Sequence, residues 1–159
     1  MSALKSASLT LGLLFAMSAG AQGIVSSAQG SHQYHRLTTD DYLRTLEFTA
    51  VRDSQNNQRG QGQFHNHGTG TTMHFVIDCL NVTGNVATMS GRITRSNIES
   101  LDSEKPPIWM RVVDNGEGRK SPVDEASGLI VFHSPAFPTC NTAFSPPLVA
   151  IEGGNIQVK

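Results

Sequence analysis

Three histidines stand where they could share a metal ion. His65 and His67 lie two apart, so in a strand their rings project on one face, and His74 follows a Gly-rich turn on what would be the paired strand. Neutral imidazole binds Zn²⁺ and Cu²⁺, and three such ligands leave a coordination position open. His32, His35 and His133 could add ligands from elsewhere in the chain. The alternative is a set of exposed polar residues flanking a turn. A second cluster is rich in oxygen: Asp114, Asn115 and Glu117, continuing to Asp124 and Glu125. Extracellular Ca²⁺ takes its ligands from such groups. Their spacing is not that of an EF-hand, and Asn-Gly is also an ordinary turn pair. The third candidate is Trp109 with Arg111, alternating with Ile108, Met110 and Val112. Exposed, the pair would stack on a sugar or aromatic ligand. In a strand of a small β domain, the indole more often belongs to the core.

Nucleophilic catalysis has little support. The serines include no Gly-x-Ser-x-Gly elbow. A Cys-His nucleophile needs a free thiol, and the only cysteines are Cys79 and Cys140. An even count in an exported chain favours pairing; the alternative is two separate thiols, one in a strand and one in a loop. The acidic pairs Asp40-Asp41 and Asp124-Glu125 fall in expected loops, where solvation is their ordinary state. No motif identifies a cofactor.

Several elements must position these groups. The chain of 159 residues begins as a targeting sequence, with Lys5, a short apolar run from Leu9 to Met17, and Ala19 and Ala21 at the −3 and −1 positions. The apolar run is shorter than the ~20 residues that span a bilayer. The expectation is therefore a cleaved signal peptide over 1–21, a flexible lead-in over 22–41, and one β domain over 42–159. No second long apolar segment follows, so no membrane span is expected in the mature protein. The formal charge is −1 with no basic stripe, which argues against nucleic acid as a partner.

From Tyr42 onward, apolar residues recur at every second position between Gly, Asn and Asp turns, the pattern of half-buried strands. Strands are expected over 45–52, 60–66, 71–82, 86–94, 108–114, 129–133 and 155–159. Gly60 and Gly62 weaken the second and point to a bulge or an edge. In the third, Phe75, Ile77 and Cys79 would share one face, and Val76, Leu80 and Val82 the other. Gly84-Asn85 reads as a two-residue hairpin turn, and Ser96 to Glu99 as a capping box before a helical turn. About seven short strands and little helical periodicity predict an all-β fold, a small antiparallel barrel or sandwich, with the barrel favoured because it removes open edges. Its core would include Leu46, Phe48, Phe75, Ile77, Leu80, Val82, Met89, Ile93, Val112, Ile130 and Phe132.

Phe48-Thr49-Ala50-Val51-Arg52-Asp53, Arg59-Gly60-Gln61, the run Cys79 to Gly91, Val112 to Gly118 and the ending Gly154-Asn155-Ile156-Gln157-Val158 are grouped in a familiar order. Together they resemble the post-choice-of-anchor domain, a bacterial secreted family of unknown activity. The resemblance spans about 47–158. It implies bacterial origin, export to the cell envelope or beyond, a β-rich fold and a Cys79–Cys140 link. It carries over no activity and no binding residue. The resulting expectation is an exported structural or binding module, not an enzyme, with an envelope or extracellular partner. The alternatives are a small barrel with a ligand pocket, such as an isomerase or lipophile binder, and a His-based metal-binding protein.

Overall fold

A computed structural model describes residues 23–35, 40–117, 120–134 and 136–159 of the chain. The expected signal peptide lies outside the described residues. The elements in order are β1 (Ile24–His35), β2 (Leu43–Asp53), β3 (Gln58–Asn66), β4 (Thr71–Thr83), β5 (Val86–Ser96), α1 (Glu99–Glu104), β6 (Pro107–Val113), β7 (Glu125–Ala126), β8 (Ile130–Val131), β9 (Val149–Ala150) and β10 (Gly153–Val158). They form one curled antiparallel sheet in the order β10-β1-β2-β3-β4-β5-β6-β7-β9, with β8 also on β6. The all-β expectation holds, with more strands than the seven read from the sequence.

The alternation of β2 explains the fold locally. Leu46, Phe48 and Ala50 turn inward and are buried, while Thr45, Glu47 and Thr49 turn outward. The same period carries Phe64 of β3, Phe75 and Ile77 of β4, Met89 and Ile93 of β5 and Met110 of β6 into one continuous core. Gly84, at φ +59°, opens the two-residue turn between β4 and β5, a conformation that favours glycine.

Three readings of the sequence are corrected. First, most of the expected flexible lead-in is β1, a twelve-residue strand paired on both sides. Its inward positions are Ser26, Ala28, Gly30, His32 and Tyr34, too small and polar to register as a hydrophobic stripe. Second, β3 is central rather than an edge. An inward row crosses the sheet as Ile156, Gly30, Phe48, Gly62, Phe75 and Ile93, so bulk alternates with glycine. A Cβ on Gly62 would lie 2.3 Å from Phe75 Cζ; the glycine exists because the ring occupies its place. Third, β4 does not alternate uninterrupted. Its register against β5 shifts between Ile77 and Cys79, leaving Asp78 as the extra residue. The shift sends Leu80 inward beside Phe75 and Ile77 and turns Cys79 to the outer face, where it forms a disulfide with Cys140.

That disulfide pins the Pro-rich connection between β8 and β9 across the outside of β5 and β6. Beneath it lies a second, smaller core. Trp109 is fully buried, packs edge-on against Phe144 at 4.8 Å and donates Nε1–H to the Thr139 carbonyl at 3.3 Å. Phe132 joins from the side of Phe144 at 5.9 Å, and the Cys140 amide donates to Ser90 Oγ. Ile130 and Phe132 are half-buried and belong to this flank. The expected capping box is absent: Ser96 Oγ instead accepts from the Ile98 amide, and α1 starts without a side-chain cap.

The ends of the sheet are joined by the chain itself. β9 pairs with β7 and β10 with β1, yet only Ile151 and Glu152 separate them. Ile151 N–H donates to the Asp124 carbonyl on one side and Glu152 N–H to the Gln33 carbonyl on the other. Beyond this corner, the free edge of β10 meets carboxylates. Asp124 Oδ2 accepts from the Ile156 amide at 3.0 Å and Asp114 Oδ2 from the Val158 amide at 2.9 Å. Asp124 Oδ1 also accepts from the Asn115 amide at 2.8 Å, and the residue is buried. In Asp124→Asn, one oxygen becomes an N–H donor facing an N–H. The expected cost is about 2 kcal/mol, read as a lower urea midpoint at unchanged slope. An unchanged midpoint would refute the role of Asp124 as a latch on β10.

Candidate functional site

The outer face of β1 to β5 carries a polar surface ordered by strand pairing. Strand pairing lines up Asn155, Ser31, Glu47, Gln63, His74 and Arg95 in one transverse row. A parallel row runs Gln157, Gln29, Thr49, Gln61, Val76 and Arg92. Between them lies an open trough of about 570 Å³. Its walls include Ser31, Glu47, Thr49, Gln61, Gln63 and His74. Its floor is the backbone of Gly30, Phe48, Gly62 and Phe75, the inward row between the two outward ones.

The trough has an internal hydrogen-bond order. Glu47 sits at its centre and accepts from Ser31 Oγ at 3.4 Å through Oε1 and from Gln63 Nε2 through Oε2. Gln29 Nε2 donates to Gln157 Oε1 at 3.0 Å at the β10 end. These contacts fix long side chains that would otherwise sample many rotamers, so less entropy remains to be lost on binding. Of the twelve lining residues, one is a carboxylate, one a histidine and none a lysine or arginine.

The histidines of the metal expectation lie at one end of this surface. His65 and His67 lie with ring centroids 4.2 Å apart and planes tilted by 43°, and His67 Nε2 meets Thr45 Oγ1 at 2.9 Å. His74 stands diagonally across from His65, opposite Gln63. All three line a hollow of about 300 Å³ with Thr45 and Thr72. Among the described residues, no group of three or more His, Cys, Asp or Glu side chains is placed to hold a metal ion. The other histidines are dispersed. His35 Nδ1 pairs with Glu152 Oε1 at 2.5 Å, and His133 lies 3.9 Å from Glu104. His32 is inside the sheet, between the rings of Tyr34 and Phe48, with both ring nitrogens lacking a partner. Burial lowers its pKa to about 4.

The oxygen-rich loop is engaged by the protein's own amides. Asp114 Oδ1 accepts from Gly116 N–H, its Oδ2 from Val158, and both Asp124 oxygens are occupied as described above. Asn115 Nδ2 donates to the Val123 carbonyl, and Glu117 Oε1 accepts from Asn155 Nδ2. These residues close the sheet rather than converge on a point. Trp109 is unavailable to a ligand because the disulfide-pinned connection covers it, and Arg111 on the same face donates Nη1–H to Ser145 Oγ at 3.1 Å. The interior positions that a ligand pocket would use, Phe75, Ile77 and Met89, are buried within the packed core.

No family model, curated protein or solved structure matches this chain. The site therefore stands on its own geometry. Sequence reading misses the trough because it weighs charged, aromatic and metal-ligating residues. The signal is present in Gly60-Gln61-Gly62-Gln63, where every second residue is a glutamine and the rest are glycines. In a central strand that pattern means a smooth inner face and a row of amides outside.

Proposed function

We propose that this chain is an exported binding module without catalytic activity, and that its ligand lies in the trough over β1 to β4. The observation that carries this reading is the trough itself: a hollow of about 570 Å³ walled by hydrogen-bonding side chains that are already tied to one another. Binding sites are concave, with a few fixed polar groups that set orientation. The disulfide agrees with an oxidising compartment, and the targeting-type start and the resemblance to bacterial secreted domains support the same setting.

The test is a fragment screen by amide NMR on the oxidised protein. The probe mixture holds mono- and disaccharides, amino acids, nucleotides and short fatty acids. The expected result is shifts confined to amides near Ser31, Glu47, Gln61 and His74, abolished by Gln61→Lys, which alters one exposed side chain. Shifts clustered elsewhere, or none from any class, would refute the proposal.

A further inference from the structure

We infer that the trough receives a neutral, extended saccharide chain lying across the strands. This deepens the binding-module reading and rests on it.

The first argument is charge. Glu47 is the one carboxylate lining the trough, and the arginines of the two rows, Arg95 and Arg92, stand beyond it on β5, so an anionic ligand over β1 to β4 would meet Glu47 with no cation among the lining residues. The carboxylate is not bare either, since Ser31 Oγ–H and Gln63 Nε2–H already point at it. A cation would have to compete with those donors. A hydroxyl can join such a network as donor to one group and acceptor from the next, without displacing a charge.

The second argument is the mixture of chemistries. Gln61, Gln63, Ser31, Thr49 and His74 offer both donors and acceptors. Between them the floor offers no side-chain donor: it is the paired backbone of Gly30, Phe48, Gly62 and Phe75, with the apolar Val76 side chain beside it. A pyranose ring has this same division, hydroxyls around its rim and C–H groups on its faces. A fatty chain would bury the amide walls without partners, which is unfavourable. A peptide strand adds to a sheet at an edge, where backbone groups are free, whereas this hollow lies on a face with β1 to β4 paired on both sides.

The third argument is extent. Two further hollows continue the first. One, of about 400 Å³, shares Gly30, Phe48 and Thr49 with it and runs to Asn155 and Gln157 on β10. The other shares Glu47, Gln63 and His74 and runs to His65 and His67. The polar rows thus present one side chain per strand, spaced by the interstrand distance of about 4.8 Å. A linear glycan likewise presents hydroxyl sets at a regular advance per ring, so successive rings can meet successive strands.

The experiment titrates the intact oxidised protein with cellohexaose, chitohexaose, a fully deacetylated chitosan hexamer and hexagalacturonate, by calorimetry and amide NMR. The expected result is binding of at least one of the two neutral hexamers, with shifts along Ser31, Glu47, Gln63 and His74. Gln61→Ala/Gln63→Ala should weaken that affinity about tenfold or more, as loss of two hydrogen bonds of about 1 kcal/mol each implies. Thr49→Lys is a second variant on an exposed position, and it should weaken the same binding. Thermal melts of both variants at the wild-type temperature exclude misfolding. Hexagalacturonate should not bind. If the fragment screen marks the trough but neither neutral hexamer binds there, or if either charged oligomer binds more tightly than both, the inference is overturned while the binding-module reading survives. If the fragment screen also marks nothing, both fall together.

Discussion

Reducing the Cys79–Cys140 bond is expected to lower the stability of the domain by about 4 kcal/mol. The two residues are 61 apart, and releasing a loop of that size restores chain entropy of this order to the unfolded state. For a chain of this length, the melting temperature should fall by roughly 10–15 °C. A second consequence is local. Cys140 is the point at which the Pro-rich connection is fastened over Trp109, through the disulfide and through its amide to Ser90 Oγ. Without the bond, the cover is held by packing against Phe144 and by single hydrogen bonds: Trp109 to Thr139, the Cys140 amide to Ser90 and Arg111 to Ser145. Trp109 is the only tryptophan, so its emission reports this one place. The Cys79→Ser/Cys140→Ser variant, and the wild type in reductant, should show a red-shifted emission before the main unfolding transition. Equal melting temperatures with and without reductant would show that the link carries no stability, and an unshifted emission would show that the cover does not depend on it.

The second large effect is acid lability from His32. Its ring is buried without a partner for either nitrogen, and its pKa in the folded protein is about 4 against an ordinary 6.5. Between those values, the unfolded chain takes up a proton that the folded chain refuses. Stability is therefore complete above pH 6.5 and falls as pH drops through the window, by about 3 kcal/mol at pH 4. His32→Leu keeps an apolar side chain against Tyr34 and Phe48 and removes the titration. Its urea midpoint should be nearly flat from pH 6.5 to 4, where that of the wild type declines. Two carboxylates act in the adjoining window. Asp53 is held below its ordinary 3.8 first by the Asn57 side-chain amide, and Asp102 first by Lys105. Their contributions are lost only as pH falls beneath 3.8, so they do not blur the His32 slope. A wild-type decline equal to that of His32→Leu would remove the buried imidazole as its cause.

The strands that sequence reading finds are those with strong alternation of large apolar groups. β2, β4, β5 and β6 each place several such residues inward, and their expected bounds lie within about two residues of the observed ones, the ordinary uncertainty of element ends. β1 escapes because its inner face is built from Ser26, Ala28, Gly30 and His32, which become buried only through partners remote in sequence. The disulfide is legible from cysteine count and compartment, but its geometry depends on the extra residue Asp78, which no propensity marks. Among site residues, the types were visible and their roles were not. Asp114 and Asp124 carry the oxygen chemistry of a cation loop, yet their nearest donors belong to β10, which is placed beside them by long-range pairing. The trough needs four strands in register before Ser31, Glu47, Gln63 and His74 become neighbours, and nothing local in the sequence puts them together.

The pairing of the first strand with the last has a bearing on how the molecule comes into being. β1 gains its second neighbour only when residues 153–158 have left the ribosome, and the bend at Ile151 and Glu152 cannot join β7 to β1 any sooner. Until then the growing polypeptide holds a sheet with an unpaired margin at each end, and contacts so distant along the chain form slowly. The margin along β1 is therefore closed late, by a strand more than a hundred residues further along the chain.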